Sequence, residues 1–127
     1  MRLLRYAAYF LTGGSCYVAM ELLWRGRSHI SMFLAGGLCF LLLGKLDRRL
    51  RRIHWLLRAL AGAAVITATE LAAGLLVNRQ YRVWDYRAMP FNLLGQVCLP
   101  FSLLWIPVSL AAMAAYRLLD KLSRRLR

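Results

Sequence analysis

The stretch ELAAGLLVNRQYRVWDYRAMPFNLLGQVCLPFSLLW, Glu70 to Trp105, decides how this chain is read. It opens and closes in apolar runs. Within and between those runs it places Glu70, Asn78, the Trp84-Asp85-Tyr86 triplet, Asn92 and Gln96. Polar side chains cost several kcal/mol to bury in hydrocarbon unless they are paired or protonated, so by default they mark function or helix contact.

Working outward, 61% hydrophobic residues coexist with a formal charge of +13 over 127 residues. Both can be true of one domain only if the two are segregated, and they are: Lys and Arg gather in short blocks between apolar runs. The aromatics lie in the apolar runs and not among the basic residues, which argues against a nucleic-acid surface. A helix needs on the order of 20 apolar residues to cross a bilayer. Four segments come close, near Leu4 to Trp24, His29 to Leu46, Trp55 to Val77 and Phe91 to Tyr116. The expected fold is therefore an all-α, multi-pass bundle of four transmembrane helices in one domain. The first apolar run lacks an Ala-x-Ala site and reads as a retained span, not a signal peptide. Pro90 and Asn92 look like the start of the fourth helix, and Pro100 and Pro107 are positions where it can kink.

Orientation follows from the basic residues. In a four-span layout thirteen Lys and Arg fall on the side of the termini and the 45–58 connection. Five fall on the other side: Arg25, Arg27, Arg79, Arg82 and Arg87. The positive-inside rule then places both termini in the cytoplasm, with the basic connection against an anionic inner leaflet. A faint repeat also shows. Each half has an apolar run ending in a glutamate (YVAMELLW, ITATELAAG), and each closes on Leu-Asp followed by basic residues (LDRRLRR, LDKLSRR). Two tandem helical hairpins would produce it.

Candidate binding residues follow helical spacing. Ala63, Thr67, Glu70, Gly74 and Asn78 form one small, polar stripe. Asn92, Gly95, Ser102 and Ser109 form a second, with Gln96 one turn from Asn92. Gly14, Tyr17 and Glu21 line up on the first span, and Phe33, Gly37, Phe40 and Gly44 on the second. Small residues admit close helix approach and polar ones bond across, so the stripes of spans three and four are expected to meet. As function, the arrangement is a polar cavity with Glu70 and Glu21 as proton or cation sites beside Asn78, Asn92 and Gln96. As structure, it is helix glue. In the loop, Trp84, Asp85 and Tyr86 either anchor at headgroup level, Asp85 paired to an arginine, or fold into a gate. Cys16, Cys39 and Cys98 read as small buried hydrophobes, and His29 and His54 as interfacial residues, so no metal site or cofactor is expected. No GxxxxGK[ST], HExxH or GxSxG is present, which argues against an enzyme.

The combination of Glu70, Gly74 and Asn78 with VWDYR (Val83 to Arg87), PFNLLGQVC (Pro90 to Cys98), Phe101, Ser102 and Trp105 resembles the ABC-transporter type IV family of small bacterial integral membrane proteins. Arg87 stands where that family has a Ser, and Val97 where it has an Ile. The resemblance implies a multi-pass permease component of a bacterial cytoplasmic (inner) membrane, with a separate ATPase as partner, and names no substrate. Transport of a small solute or ion is the leading functional expectation, by a homo-oligomer or together with another membrane subunit, since four helices leave little room for a path. The alternative is a non-transporting assembly or regulatory protein.

Overall fold

The computed structural model describes residues 2–26, 29–81 and 84–125. Arg27, Arg82, Val83 and Arg127, which enter the reading above, lie outside the described residues. Four long helices carry the fold: α1 (Arg2–Arg25), α2 (Ile30–Arg49), α3 (Trp55–Val77) and α4 (Leu99–Arg125). Between α3 and α4 sit two short strands, β1 (Asn92–Leu93) and β2 (Val97–Cys98).

Three helices, α2, α3 and α4, with 20, 23 and 27 residues, are long and apolar enough to cross a membrane. α1 has the length, but Thr12, Gly13, Gly14, Ser15, Tyr17 and Glu21 dilute its apolar run. The bundle leaves a shell of large apolar side chains bare, Leu23 at 90% and Leu76 at 77% exposure among them. Such a shell suits hydrocarbon and not water.

Both histidines find a local role. The Nδ1 of His29 accepts from the Ser31 amide at 3.1 Å, and that of His54 from the Leu56 amide at 3.2 Å, so each caps the first turn of its helix. The helices pair as two hairpins, α1 on α2 and α3 on α4. α1 and α2 meet over glycine, since a Cβ at Gly37 would fall 2.7 Å from the Phe10 carbonyl oxygen. On the other hairpin the expected stripes do face each other. Thr67 donates to the Ser102 hydroxyl at 3.0 Å, and Ser109 to the Ala59 carbonyl at 3.1 Å. Leu43, Ala63, Ile66, Trp105 and Met113 form the main core, and Tyr9, Phe40 and Tyr116 a second cluster near the termini.

The hairpins are tied together at the end that holds both termini. Asp47 on α2 is 2% exposed and takes two bonds from Arg117 on α4, at 2.5 and 2.6 Å, with Arg58 on α3 at 3.3 Å. Asp120 on α4 accepts from Tyr9 on α1 at 3.3 Å and pairs with Arg48 and Arg124. The two Leu-Asp repeats therefore cross: each aspartate meets an arginine on the helix of the other.

One expected element is corrected. The fourth helix starts at Leu99, not at Phe91, and residues 92–98 form an antiparallel β-hairpin pairing Asn92 with Cys98 and Leu93 with Val97. Asn92 and Gly95 are thus not on the helix with Ser102 and Ser109. Pro90 starts no helix. Asn92 Oδ1 accepts from the Gly95 amide at 3.1 Å, closing a tight turn in which Gly95 sits at φ +69°. Leu94 and Phe91 also take left-handed backbone, at φ +56° and +54°, each costing about 1 kcal/mol or more without glycine's freedom. Pro100 falls in the first turn of α4, where no amide partner is needed, so of the two prolines only Pro107 interrupts the helical bonding.

Candidate functional site

At the end opposite the termini, the chain between α3 and α4 folds back onto the bundle as a compact plug. Its anchor is Asn78, the residue that ends α3 and is 1% exposed. Asn78 Nδ2 donates to the Trp84 carbonyl at 2.6 Å and to Gln96 Oε1 at 2.9 Å, and its Oδ1 accepts from the Trp84 amide at 3.2 Å. Gln96 returns the contact, its Nε2 donating to the Asn78 carbonyl at 3.0 Å. The Trp84 indole donates to the Gln96 carbonyl at 2.8 Å. Trp84 and Gln96 are each 2% exposed, so this is a closed polar knot in an apolar setting, where such bonds are strongest and losing one costs most.

The remaining loop residues divide. Asp85 lies on the surface and takes both Nε and NH2 of Arg87, at 2.9 and 2.7 Å. Hydrogen bonds from the Arg87 side chain and backbone amide hold the Asp85 carboxyl below its ordinary range. A depressed carboxyl is charged at neutral pH, so the tie is lost only as pH falls through that lowered value. Arg87 also stacks over the Tyr81 ring at 4.1 Å. Asn92 is exposed and spends its amide on the Arg87 and Met89 carbonyls, so the structure does not bring it to the glutamates. Asp85 is thus paired to an arginine on the loop surface, and Asp85→Ala is expected to leave expression, insertion and thermal midpoint in detergent unchanged.

Tyr86 is different. Its ring stacks on Phe101 of α4 (centroids 5.1 Å apart, planes 16° apart), and its hydroxyl donates to Glu70 Oε2 at 3.2 Å. Glu70 is 7% exposed on the α3 face that carries Thr67 and Gly74. Tyr86 also lines a cavity of about 310 Å³ at this end, with Tyr17, Glu21, Phe101 and Trp105 among its walls. Behind it a void of about 20 Å³, room for about one water, is lined by Tyr17, Thr69, Glu70 and Trp84 among others. Tyr17 borders both spaces. Tyr86 and Tyr17 stand between the Glu21-lined cavity and the buried Glu70 carboxyl.

The sequence pattern that defines the family described as Putative ABC-transporter type IV matches residues 9–126. The chain belongs to this family. No curated protein and no solved structure matches it. For a type IV family member, the geometry sorts the predicted site residues. Glu21 and Glu70 border two spaces that share Tyr17 as a wall, Asn78, Gln96 and Trp84 build the plug, Tyr86 joins plug to glutamate, and Asn92 and Asp85 shape the loop surface. The Tyr86–Glu70 bond, across 16 residues, had no signal in spacing or periodicity. The crossed Asp47 and Asp120 pairs do have one, the Leu-Asp repeated in the two halves.

Proposed function

We propose that this chain is a membrane-embedded transport component in which Glu70 takes up a proton or small cation and Tyr86 controls access to it. The observation that carries the reading is the Tyr86 hydroxyl bonded to the Glu70 carboxylate at the boundary between the outer cavity and the interior. A carboxyl at 7% exposure in an apolar bundle is costly as glue, where an amide would serve more cheaply. Tyr86 rides on the plug, so movement of the plug would open Glu70 to the Glu21-lined cavity.

The reading includes four spans with both termini cytoplasmic. Packing of α1 along α2, with Tyr9 reaching Asp120, supports α1 as the fourth span. The excess of arginines at that end supports the orientation. Reporter fusions after Arg52 and at the C-terminus are expected to read as cytoplasmic, and one after Gln80 as external; an external C-terminus would overturn the layout.

Within one copy the core of Leu43, Ile66, Trp105 and Met113 lies between the plug and the terminal end. A through-path would need a second copy or another membrane subunit, and an ATP-driven cycle a separate ATPase, since the chain carries no P-loop. The same closed core favours, as a second reading, an assembly or regulatory partner whose polar contacts are structural. Proton flux into vesicles holding a pH-sensitive dye, driven by a potassium diffusion potential, separates the two. Under the transport reading Glu70→Gln abolishes the flux and Tyr86→Phe shifts its pH dependence, both variants keeping the wild-type melting point to within a few degrees. Full flux with unaltered pH dependence in Glu70→Gln would rule out the Glu70 site.

A further inference from the structure

At the terminal end a cleft of about 610 Å³ opens between α2 and α4. Six cations and two carboxylates line it, together with Gly44 and Tyr116. The carboxylates are committed, Asp47 to Arg117 and Arg58, Asp120 to Arg48, Arg124 and the Tyr9 hydroxyl. Arg51, Lys121 and Arg125 also line the cleft and pair with no carboxylate among the described residues. Surplus positive charge held in a cleft attracts an anion, and the ion pairs on its floor fix the arginines that shape it.

The adjacent surface is the opposite in character. A groove of about 300 Å³ runs between α1 and α4 over a floor of α2. It is lined by Gly13 and Gly36, by Phe40 and Leu43, and by Ala111 and Ala115 among others. The same two helices serve both spaces in succession. On α2 the apolar lining ends at Leu43 and the basic lining starts at Gly44, and on α4 the change falls between Ala115 and Tyr116. Tyr116 marks the boundary, edge-on to Tyr9 at 5.0 Å and against Phe40 at 5.4 Å. An apolar groove followed along the same two helices by a basic cleft matches a molecule with an acyl chain and a phosphate head.

We propose that cleft and groove together form a binding site for one anionic glycerophospholipid, its phosphate in the cleft near Arg51, Lys121 and Arg125 and an acyl chain leaving past Tyr116 into the groove by Ala111 and Ala115. The site is more specific than general attraction of a basic end to an acidic leaflet, because the apolar half fixes where the head must sit. It rests on the membrane reading of α2 and α4 and is independent of the role given to Glu70.

The full chain in a neutral detergent, titrated with phosphatidylglycerol, phosphatidylcholine or inorganic phosphate and followed by thermal midpoint and native mass spectrometry, tests it. Phosphatidylglycerol is expected to bind saturably at one site per chain and raise the midpoint, and phosphatidylcholine to do neither. The triple variant Arg51→Gln, Lys121→Gln, Arg125→Gln is expected to weaken phosphatidylglycerol binding by roughly tenfold or more, with its lipid-free midpoint unchanged. The pair Ala111→Leu and Ala115→Leu, at exposed positions, fills the groove and is expected to weaken the lipid too. Arg79→Gln, at the opposite end, is the control and leaves binding intact. Equal binding of the two lipids, or wild-type binding by the triple variant, overturns the site. Inorganic phosphate that binds as tightly as the lipid, indifferent to the groove-filling pair, would make it a free-anion site and overturn the lipid assignment.

Discussion

Asp47→Ala is expected to destabilise the bundle by about 3 kcal/mol, at the low end of what breaking a buried ion pair costs. Asp47 is 2% exposed and holds two guanidinium groups of unequal burial, the Arg117 side chain being 43% exposed and that of Arg58 only 14%. When the carboxylate is removed, Arg117 recovers water and loses little, whereas Arg58 is left as an uncompensated charge against α2. The Arg58 Nε stands 3.3 Å from Asp47 Oδ1, near enough for an ion pair, but it is not aligned as a hydrogen bond, so charge and not geometry is what Arg58 loses. Asp47→Asn keeps the shape and one acceptor and should fall between. Asp120→Ala is the comparison. Its arginines, Arg48 and Arg124, are 55% and 71% exposed and such pairs contribute about 1 kcal/mol or less, which leaves the bond from the Tyr9 hydroxyl, about 1 kcal/mol, as its main loss. Thermal midpoints in one detergent should therefore drop strongly for Asp47→Ala and slightly for Asp120→Ala. Equal drops would mean that the crossed pairs act as one network and that burial does not divide them.

The helices were legible because hydrocarbon length and apolar runs leave few alternatives, and the α3 stripe of Thr67, Glu70 and Gly74 was legible because helical spacing alone places those residues on one face. The start of α4 was not. PFNLLGQVC is as apolar as a helix start and carries a Pro followed by an Asn, the usual opening signals. What overrides them is Gly95 three residues after Asn92, whose side-chain acceptor and free backbone together close a turn, with Val97 and Cys98 then running as a strand. Asn78 and Gln96 stand out in the sequence for the cost of burying them, and in the fold they meet that cost in bonds to each other and to Trp84. Tyr86 reaching Glu70 depends on how the whole loop folds back, and no local pattern encodes a contact of that kind.

That knot carries the second large effect. Asn78→Ala is expected to cost about 3 kcal/mol and to release the plug before the bundle melts. The substitution removes the partner of the Trp84 carbonyl, the Trp84 amide and the Gln96 side-chain oxygen at once, and each buried group so stranded costs about 1–3 kcal/mol before relaxation. Relaxation is hindered on the α3 side, where Gly74 lies so close to the Gln96 amide that an added Cβ would overlap Gln96 Oε1 and stand 2.8 Å from its Cδ. Gly74→Ala should therefore mimic Asn78→Ala from the opposite face. Gln96→Ala should resemble both, and the double variant Asn78→Ala, Gln96→Ala should cost clearly less than the two singles together, since residues within one hydrogen-bond network are not additive. Trp84, at 2% exposure, supplies the readout. With the knot undone, its amide should exchange with deuterium while the α2 and α3 interiors stay protected. Exchange of Trp84 only together with global unfolding would show that the plug is not a separable unit, and with it would fall the idea that movement of the plug uncovers Glu70.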